Sequence, residues 1–203
     1  ANILGGEIQI STRGEYFNSE IIDWLNQKNI SFSEITEMRT MAFKKNFEEK
    51  SIVVDLKSID KKYPLFGKLT ITNNLNYKEI ESLNLLDGEI FVEESFLNRL
   101  KLNIGDKVFI GNTEYTIKGS IENEPDRLTN LVSIGPRVII SKKDLYKSNL
   151  NTAGSLVNHK INIKNEENYN NQIVKLIKKK FPSEPLRFQS ANSSSQTSGQ
   201  QFI

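Results

Sequence analysis

The sequence predicts an α+β fold, in which the two ends of the chain form one discontinuous α/β subdomain and the middle forms a smaller, β-rich subdomain inserted into it. Strand and helix patterns alternate at both ends of the 203-residue chain, whereas short strands bounded by turn residues fill the middle. We expect residues 1–66 and 150–190 in the first subdomain and 67–149 in the second. The Ser- and Gln-rich residues 191–203 are expected to form a flexible tail.

The first piece of the chain predicts strand, helix, strand and strand. Apolar residues at strand spacing predict strands at residues 7–10, 30–43 and 51–60. The last of these runs is apolar almost throughout, which is typical of a strand at the centre of a sheet. Between the first two strands, apolar residues at helical spacing predict a helix that Asn18 or Ser19 can cap.

The middle of the chain predicts short strands and little helix. Residues 65–71 have a strand pattern, and residues 76–86 predict a short helix or turn that ends at Gly88. Residues 89–102 predict a strand that runs into a helix. The pair Gly111 and Asn112 is a two-residue hairpin signal between two alternating strands. Strands this short and closely spaced indicate a small, curled or barrel-like sheet.

The last piece returns to the first pattern. A strand at residues 137–141 leads into a short helix capped by Ser141, and a second strand precedes a longer helix. One apolar stripe of that helix is formed by Tyr169, Ile173, Leu176 and Ile177. Pro182 ends the helix, and residues 185–190 predict a last strand.

Composition excludes several classes of function. The net charge is +2, with 27 basic and 25 acidic residues mixed along the chain, which gives no electrostatic footprint for nucleic acid. The absence of cysteine excludes thiol nucleophiles and thiolate metal sites. The sequence contains no run of apolar residues long enough to span a membrane, and we expect the chain to be a fragment of a longer protein. We expect no cofactor and no metal.

His159, the single histidine, is the residue that a Ser-His-Asp triad would have to use. It lies in a strand pattern, where Ser155 would share its face at a distance of roughly 13 Å along the strand. That distance is too long for a hydrogen bond, and no G-x-S-x-G elbow is present. We therefore expect no catalytic residues in this chain.

Carboxylates and turn residues form the other motifs. Acidic pairs occur at Glu48–Glu49, Glu93–Glu94, Glu122 with Glu124, and Glu166–Glu167. Such pairs can do acid-base chemistry when burial separates their pKa values, but they lie in charge-rich runs that indicate solvated surface or, as for Glu166 and Glu167, negative charge at a helix N-terminus. The segment EPDR, which contains Asp126 and Arg127, is interpreted as a turn.

The segment DKKYPLFGKL is a candidate contact surface. Tyr63, Leu65 and Phe66 surround Pro64 in a stretch that is expected to be extended before the proline. One interpretation is a subdomain boundary with its aromatic residues packed at the junction. The other is an exposed aromatic lip that contacts a partner or an apolar substrate.

Several segments together resemble one protein family. They are LGGEIQI, ITEMRTMAF, VVDLKSIDKKYPLFGKL, GEIFVEESFLNRLKLNIGDKVFIGNTEYTIKGSIENEPDR and IGPRVIIS. In this order, over most of residues 3–164, they are similar to the first periplasmic domain of YbbP-like ABC transporter permeases, a branch of the MacB/FtsX-type superfamily. The resemblance implies a porter-like α/β subdomain built from both ends of the chain, with a small α/β-rich subdomain inserted.

The resemblance also implies a function. Membrane helices of the same permease would flank the domain on the periplasmic side of the bacterial inner membrane, and the tail would lead toward one of them. A separate cytoplasmic ABC ATPase subunit would drive export or extraction of a lipid or other hydrophobic substrate, and a periplasmic lysophospholipase or thioesterase could be a partner. The alternative is a mechanically driven interaction domain that regulates a periplasmic hydrolase, as in FtsX-like systems. The family carries no catalytic residues in this domain.

Overall fold

A computed structural model describes residues 7–14, 16–44, 50–73, 76–80, 85–126, 134–150, 156–164 and 170–190. The strands are β1 (Glu7–Arg13), β2 (Phe32–Phe43), β3 (Ser51–Ile59), β4 (Leu69–Asn73), β5 (Asn76–Ile80), β6 (Glu89–Glu93), β7 (Lys107–Ile110), β8 (Thr113–Asn123), β9 (Arg137–Ser141), β10 (Val157–Lys164) and β11 (Arg187–Ser190). The helices are α1 (Ser19–Gln27), α2 (Glu94–Leu100), α3 (Lys142–Ser148) and α4 (Asn170–Lys180). The predicted α+β fold is confirmed.

The two ends of the chain pair in one sheet. Strand β1 lies between β10 and β11 and is antiparallel to both, so that Ile8 faces Ile163 on one side and Ser190 on the other. Strand β10 also pairs with β2, and β2 pairs with β3 along nine residue positions from Ile35 to Phe43. Because β1 and β11 are antiparallel neighbours, the start of β1 and the end of β11 lie next to each other at the same end of the sheet.

The middle strands close into a circuit. Strand β9 runs parallel to β3 and antiparallel to β6, and β6 runs parallel to β8. The circuit closes through β7, which pairs with both β8 and the end of β2. The hairpin of β4 and β5 extends from the other edge of β8. The barrel-like sheet that the sequence predicts is therefore present, although β2 and β3 from the first piece complete it.

Alternating residues of the circuit fill its interior. Val54 and Leu56 of β3 point inward, as do Val138 and Ile140 of β9, and all four are fully or almost fully buried. Phe96 of α2 packs into the same core. Burial of each such side chain contributes about 1.5–3 kcal/mol to stability, so this core holds both pieces of the chain together.

Helices α1 and α4 cover one face of the part of the sheet formed by β11, β1, β10, β2 and β3, which we call the end sheet. Asn18 caps α1 by accepting a hydrogen bond from the backbone N–H of Glu20 at 3.0 Å. Trp24 packs edge-on against Phe181, just beyond α4, with ring centroids 6.4 Å apart. Ile8 and the other inward-facing residues of β1 and β10 form the second core beneath these helices.

Two local expectations are corrected. Asn76–Ile80 is a strand and not a helix or turn, because its backbone pairs with Leu69–Asn73 along the whole length of β4. On α4, Ile173 and Ile177 are buried but Leu176 is 52% exposed, because the apolar stripe that meets the sheet is narrower than the sequence pattern. Tyr169 and the expected tail lie outside the described residues. The division into two subdomains at the expected boundaries stays a prediction.

Candidate functional site: a buried charge network

The structure separates the three residues of the expected aromatic lip. Tyr63 is only 1% exposed, so it cannot be part of an exposed surface, and its hydroxyl points into a cluster of charges. Pro64, which follows a cis peptide bond, is also buried. Leu65 and Phe66 are half-buried. The expectation of an exposed lip is therefore wrong for Tyr63, and a contact role remains a proposal for Leu65 and Phe66.

Lys57 is the centre of the cluster, and its side chain is 1% exposed. It lies in the central strand β3 and donates from Nζ to Glu124 Oε1 at 2.6 Å and to Asp126 Oδ1 and Oδ2 at 2.7 and 2.8 Å. The same Nζ lies 3.0 Å from the hydroxyl of Tyr63, which donates in turn to Asp126 Oδ1. An ammonium group has three donors, and these partners occupy all of them.

The cluster continues along the sheet through Arg137 at the start of β9. Its Nε donates to Glu124 Oε2 at 3.0 Å, and its guanidinium lies 3.8 Å from Glu37 Oε1. Glu37 also accepts from Lys160 Nζ at 2.6 Å. We refer to Lys57, Tyr63, Glu124, Asp126, Arg137, Glu37 and Lys160 as the charge network.

The cations of the network hold the pKa values of two buried carboxylates, Asp126 and Glu37, below their ordinary range. Burial acts to raise the pKa of Asp126, but the charge of Lys57 and the hydrogen bonds from Lys57 and Tyr63 hold that pKa below its ordinary value. Burial likewise opposes ionisation of Glu37, and Lys160, Lys57 and Arg137 together hold its pKa low. Burial, followed by the charges of Asp126 and Glu124, raises the pKa of Tyr63 far above its ordinary range. The tyrosine is therefore a neutral donor.

This arrangement holds together strands from two parts of the chain. Lys57 and Glu37 come from the first piece of the chain, whereas Glu124, Asp126 and Arg137 come from the middle. A buried ion pair contributes little net stability compared with an apolar pair, but removal of one partner leaves an uncompensated buried charge. The network therefore fixes the position of the middle piece relative to β2 and β3.

The turn segments that the sequence singled out carry this network. Glu124 and Asp126 belong to EPDR, and the expected solvated surface is wrong for Glu124, whose side chain is 1% exposed. A Cβ on Gly67 would lie 2.7 Å from Cβ of Pro125, so the turn packs closely on the segment after Tyr63. Arg127 lies outside the described residues.

The segment IGPR has a similar structural role. A Cβ on Gly135 would lie 2.2 Å from the backbone oxygen of Val53. This distance is too short for any side chain, so the position requires glycine. The carbonyl of Pro136 accepts from the N–H of Asp55 at 3.0 Å, which sets the parallel register of β9 beside β3. Arg137 then follows at the position from which its side chain reaches Glu124.

Sequence inspection missed Lys57, although a signal was present. A lysine in an apolar run that predicts a central strand would be buried, and a buried lysine requires anionic partners. Neither Glu124 nor Asp126 could be assigned as those partners, because 67 and 69 residues separate them from Lys57. Their contact depends on the closed circuit of strands.

His159 lies on the opposite face of the sheet from the network. Its Nδ1 is 3.0 Å from Oγ1 of Thr36, while Nε2 is buried and has no hydrogen-bond partner. The ring of Tyr16 covers it at a centroid distance of 4.3 Å, and Tyr16 also stacks on Tyr146. Burial lowers the pKa of His159 from 6.5 to about 4. Ser155 lies outside the described residues, so the rejected triad is not tested further.

The remaining acidic pairs are also placed where they are described. Glu93 accepts from the backbone N–H of Arg137 at 2.8 Å, and Glu94 is exposed in the first turn of α2. Glu48–Glu49 and Glu166–Glu167 lie outside the described residues. Within the part of the chain that the structure describes, no group of acidic or histidine side chains could hold a metal ion.

Comparison with known proteins relates the fold to transporter domains. Neither protein-family models nor curated proteins match the sequence. Among solved structures, the periplasmic region of MacB from Actinobacillus actinomycetemcomitans is similar with a TM-score of 0.58 and 14% identity, over 95% of this chain and 94% of that one. The extracellular domain of the noncanonic ABC-type transporter YknZ from Gram-positive bacteria is similar with a TM-score of 0.59 and 11% identity, over 92% and 100%.

A domain assigned to a permease protein from Porphyromonas gingivalis is similar with a TM-score of 0.52 and 13% identity, over 92% of this chain and 89% of that one. The chain has the fold of the MacB periplasmic region. The match extends over nearly the whole of each chain, so the MacB-like fold includes both the end sheet and the closed circuit. In the described residues, no helix is long and apolar enough to cross a membrane.

Proposed function

We propose that this chain is the extracytoplasmic domain of an ABC transporter permease. It would couple ATP-driven motion of membrane helices to export or extraction of a lipid or other hydrophobic substrate, or to a periplasmic partner. The observation that carries the proposal is the MacB-like fold, which matches nearly full-length domains of two ABC-type transporters. The ATPase activity would reside in a separate cytoplasmic subunit.

The topology supports this function. The start of β1 and the end of β11 lie side by side, because Ile8 is paired with Ser190. A domain inserted between two membrane helices needs both connections on one side, and this edge provides them. Movement of those helices would reach β1 first, and β1 pairs with β10 along its whole length from Glu7 to Arg13. Strand β10 carries Lys160 of the charge network, and the end sheet continues from β10 to β2 and β3, which carry Glu37 and Lys57.

The first experiment tests location and assembly in the full-length protein. The chain itself has no cysteine, so once any cysteines in the rest of the full-length protein are replaced, a single Asn98→Cys variant on the exposed side of α2 provides a unique label site. A membrane-impermeant maleimide should label it in intact cells, whereas a matched Val92→Cys variant, buried in the core, should stay unlabelled until the protein is denatured. An ABC ATPase should co-purify with the full-length protein. Labelling of Asn98→Cys only after the membrane is permeabilised would contradict the proposal.

The second experiment separates transport from regulation. Proteoliposomes that contain the permease and its ATPase should release a fluorescent phospholipid to an acceptor when ATP is added, if the substrate is a lipid. An FtsX-like regulator would instead raise the activity of a co-purifying hydrolase without lipid release. A double Lys57→Met/Arg137→Met variant should lower either activity if it is stably folded, while a Lys107→Met control should not. ATP hydrolysis with neither readout would contradict both forms of the coupling.

A further inference from the structure

The segment between β3 and β4 lies at the edge of the sheet where the described chain starts and ends. Glu7 pairs with Lys164, and Ile163 pairs with Phe32. These residues therefore lie at one end of their strands, and we call this end of the sheet the terminal edge. Residues 61–68 reach this edge, because Lys164 Nζ lies 5.5 Å from the ring centroid of Phe66. Lys62 Nζ lies 4.7 Å from the ring centroid of Phe32.

Hydrogen bonds to Asp60 fix the start of the segment against strand β2. Asp60 accepts hydrogen bonds from the hydroxyl of Ser33 and the backbone N–H of Glu34, both at 2.8 Å. It also accepts from the backbone N–H groups of Lys62 and Tyr63 at 3.0 and 3.1 Å. With Tyr63 fixed in the charge network, the residues that follow have a defined position at the surface.

The exposed part of the segment is both apolar and basic. Leu65 and Phe66 are half-buried, so each presents part of its side chain to the surroundings. Four exposed lysines belong to the same region: Lys61, Lys62 and Lys68 lie in the segment itself, and Lys164 contacts the ring of Phe66. Asp60, the acidic residue of this segment, is directed inward to its hydrogen-bond donors. A segment that combines partly exposed apolar side chains with several exposed lysines is suited to the boundary of a lipid bilayer, where lysine stems lie along apolar groups and the ammonium groups meet phosphates.

We infer that residues 61–68 are a membrane-surface contact, in which Leu65 and Phe66 enter the headgroup layer and the four lysines bind anionic phospholipid headgroups. The inference rests on the proposed function, since that function turns the terminal edge toward the membrane. It assigns to this segment a lipid surface and not a protein partner. The contact would fix the tilt of the domain on the bilayer.

The experiment uses fluorescence from single positions. A Phe66→Cys variant and a matched Asn112→Cys variant, at the exposed hairpin of β7 and β8, carry an environment-sensitive dye. The two variants are mixed with vesicles of phosphatidylcholine alone or with phosphatidylglycerol, which contain a headgroup-region quencher. With anionic vesicles the dye at position 66 should shift to the blue and be quenched, the dye at 112 should not, and added salt should reverse the effect.

Charge variants test the role of the lysines. A Lys61→Gln/Lys62→Gln/Lys68→Gln/Lys164→Gln variant should weaken vesicle binding about tenfold or more. The control replaces the same number of exposed lysines on α4, at positions 175, 178, 179 and 180, and has the same net charge. An equal loss in the control would show nonspecific attraction and would overturn the inference.

If the isolated chain binds vesicles too weakly to measure, the same two dye positions are examined in the full-length protein in lipid nanodiscs. Quenching at position 66 but not at 112 supports the inference. Quenching at neither position, or equally at both, overturns it. If maleimide labelling has already placed the domain outside the cytoplasm, such a result rejects the lipid contact and leaves the proposed function intact. Capture of a protein at position 66 by a photoreactive group, without lipid quenching, would also reject it.

Discussion

The two faces of the end sheet bury titratable groups in different ways. On one face, every charge of the network has an oppositely charged partner within 4 Å, and these partners hold the pKa values of Asp126 and Glu37 below their ordinary range. On the other face, His159 is 2% exposed, has one hydrogen-bond partner and leaves Nε2 unpaired. Burial alone therefore does not decide charge. The partners do, and the two faces should respond differently to mutation and to pH.

The largest effect is expected for Lys57→Met. The change removes the cation between Glu124 and Asp126 and leaves two carboxylates that face each other in a buried site, which costs about 3–5 kcal/mol of unfolding free energy. Urea unfolding measures it. Lys107→Met is the matched control, because Lys107 is an exposed strand lysine paired with Glu114, and it should change stability by less than about 1 kcal/mol. Similar costs for the two variants would contradict the ionic account.

The second effect is a pH dependence from His159. Its pKa is about 4 in the folded chain and 6.5 in its ordinary state, so the unfolded chain binds a proton first as the pH falls. The free energy of unfolding that neutral His159 contributes is therefore fully present above about pH 6.5. It falls by about 3 kcal/mol as the pH is lowered toward 4. Unfolding free energies across this range should fall more steeply for the natural chain than for His159→Phe. Parallel curves would show that Nε2 is protonated or solvated in the folded state.

A smaller effect is expected for Tyr63→Phe. The variant removes the hydroxyl that donates to Asp126 and approaches Lys57 while it keeps the buried ring, so the cost is about 1–3 kcal/mol. Tyr146→Phe serves as a control, because Tyr146 is 55% exposed and its hydroxyl can bind water. Thermal unfolding of the two variants compares them directly. Equal melting temperatures would mean that the hydroxyl of Tyr63 contributes nothing to the network.

The smallest effect is expected for Thr36→Val. The hydroxyl of Thr36 is the partner of His159 Nδ1, and its loss leaves both ring nitrogens unpaired, at a cost of about 1 kcal/mol. In the His159→Phe background the same change should cost less, and the difference between the two costs is the coupling energy. A coupling of zero would show that the 3.0 Å contact does not stabilise the fold.

Much of the fold could be predicted from local patterns. The hairpin at Gly111 and Asn112, the Ser141 cap of α3 and the strand at 51–59 follow from turn, capping and burial chemistry that acts within a few residues. Asn76–Ile80 could not be predicted, because its strand conformation depends on pairing with β4 and its own spacing is ambiguous.

The charge network was harder to predict from the sequence, because it too depends on contacts between residues that are distant in the chain. Tyr63 attracts notice in the sequence for its apolar neighbours, but the carboxylate that accepts from its hydroxyl, Asp126, is 63 positions away. Glu124 looked like a surface residue because its neighbours in the sequence are polar. Whether a carboxylate is solvated or buried depends on which strands close around it, and local composition does not contain that information.

The closed circuit has a consequence for the order in which the chain can assemble. The hairpins β2–β3 and β7–β8 join neighbouring segments and can form early, whereas β9 must enter between β3 and β6, where Asp55 meets Arg137. Contacts between such distant positions form slowly, because a long loop must close first. Until β9 arrives, β3 and β6 present open edges that can pair with another chain. Yield on refolding should therefore depend on protein concentration, because a second chain can pair with β3 or β6 before Arg137 reaches Glu124 and Glu93.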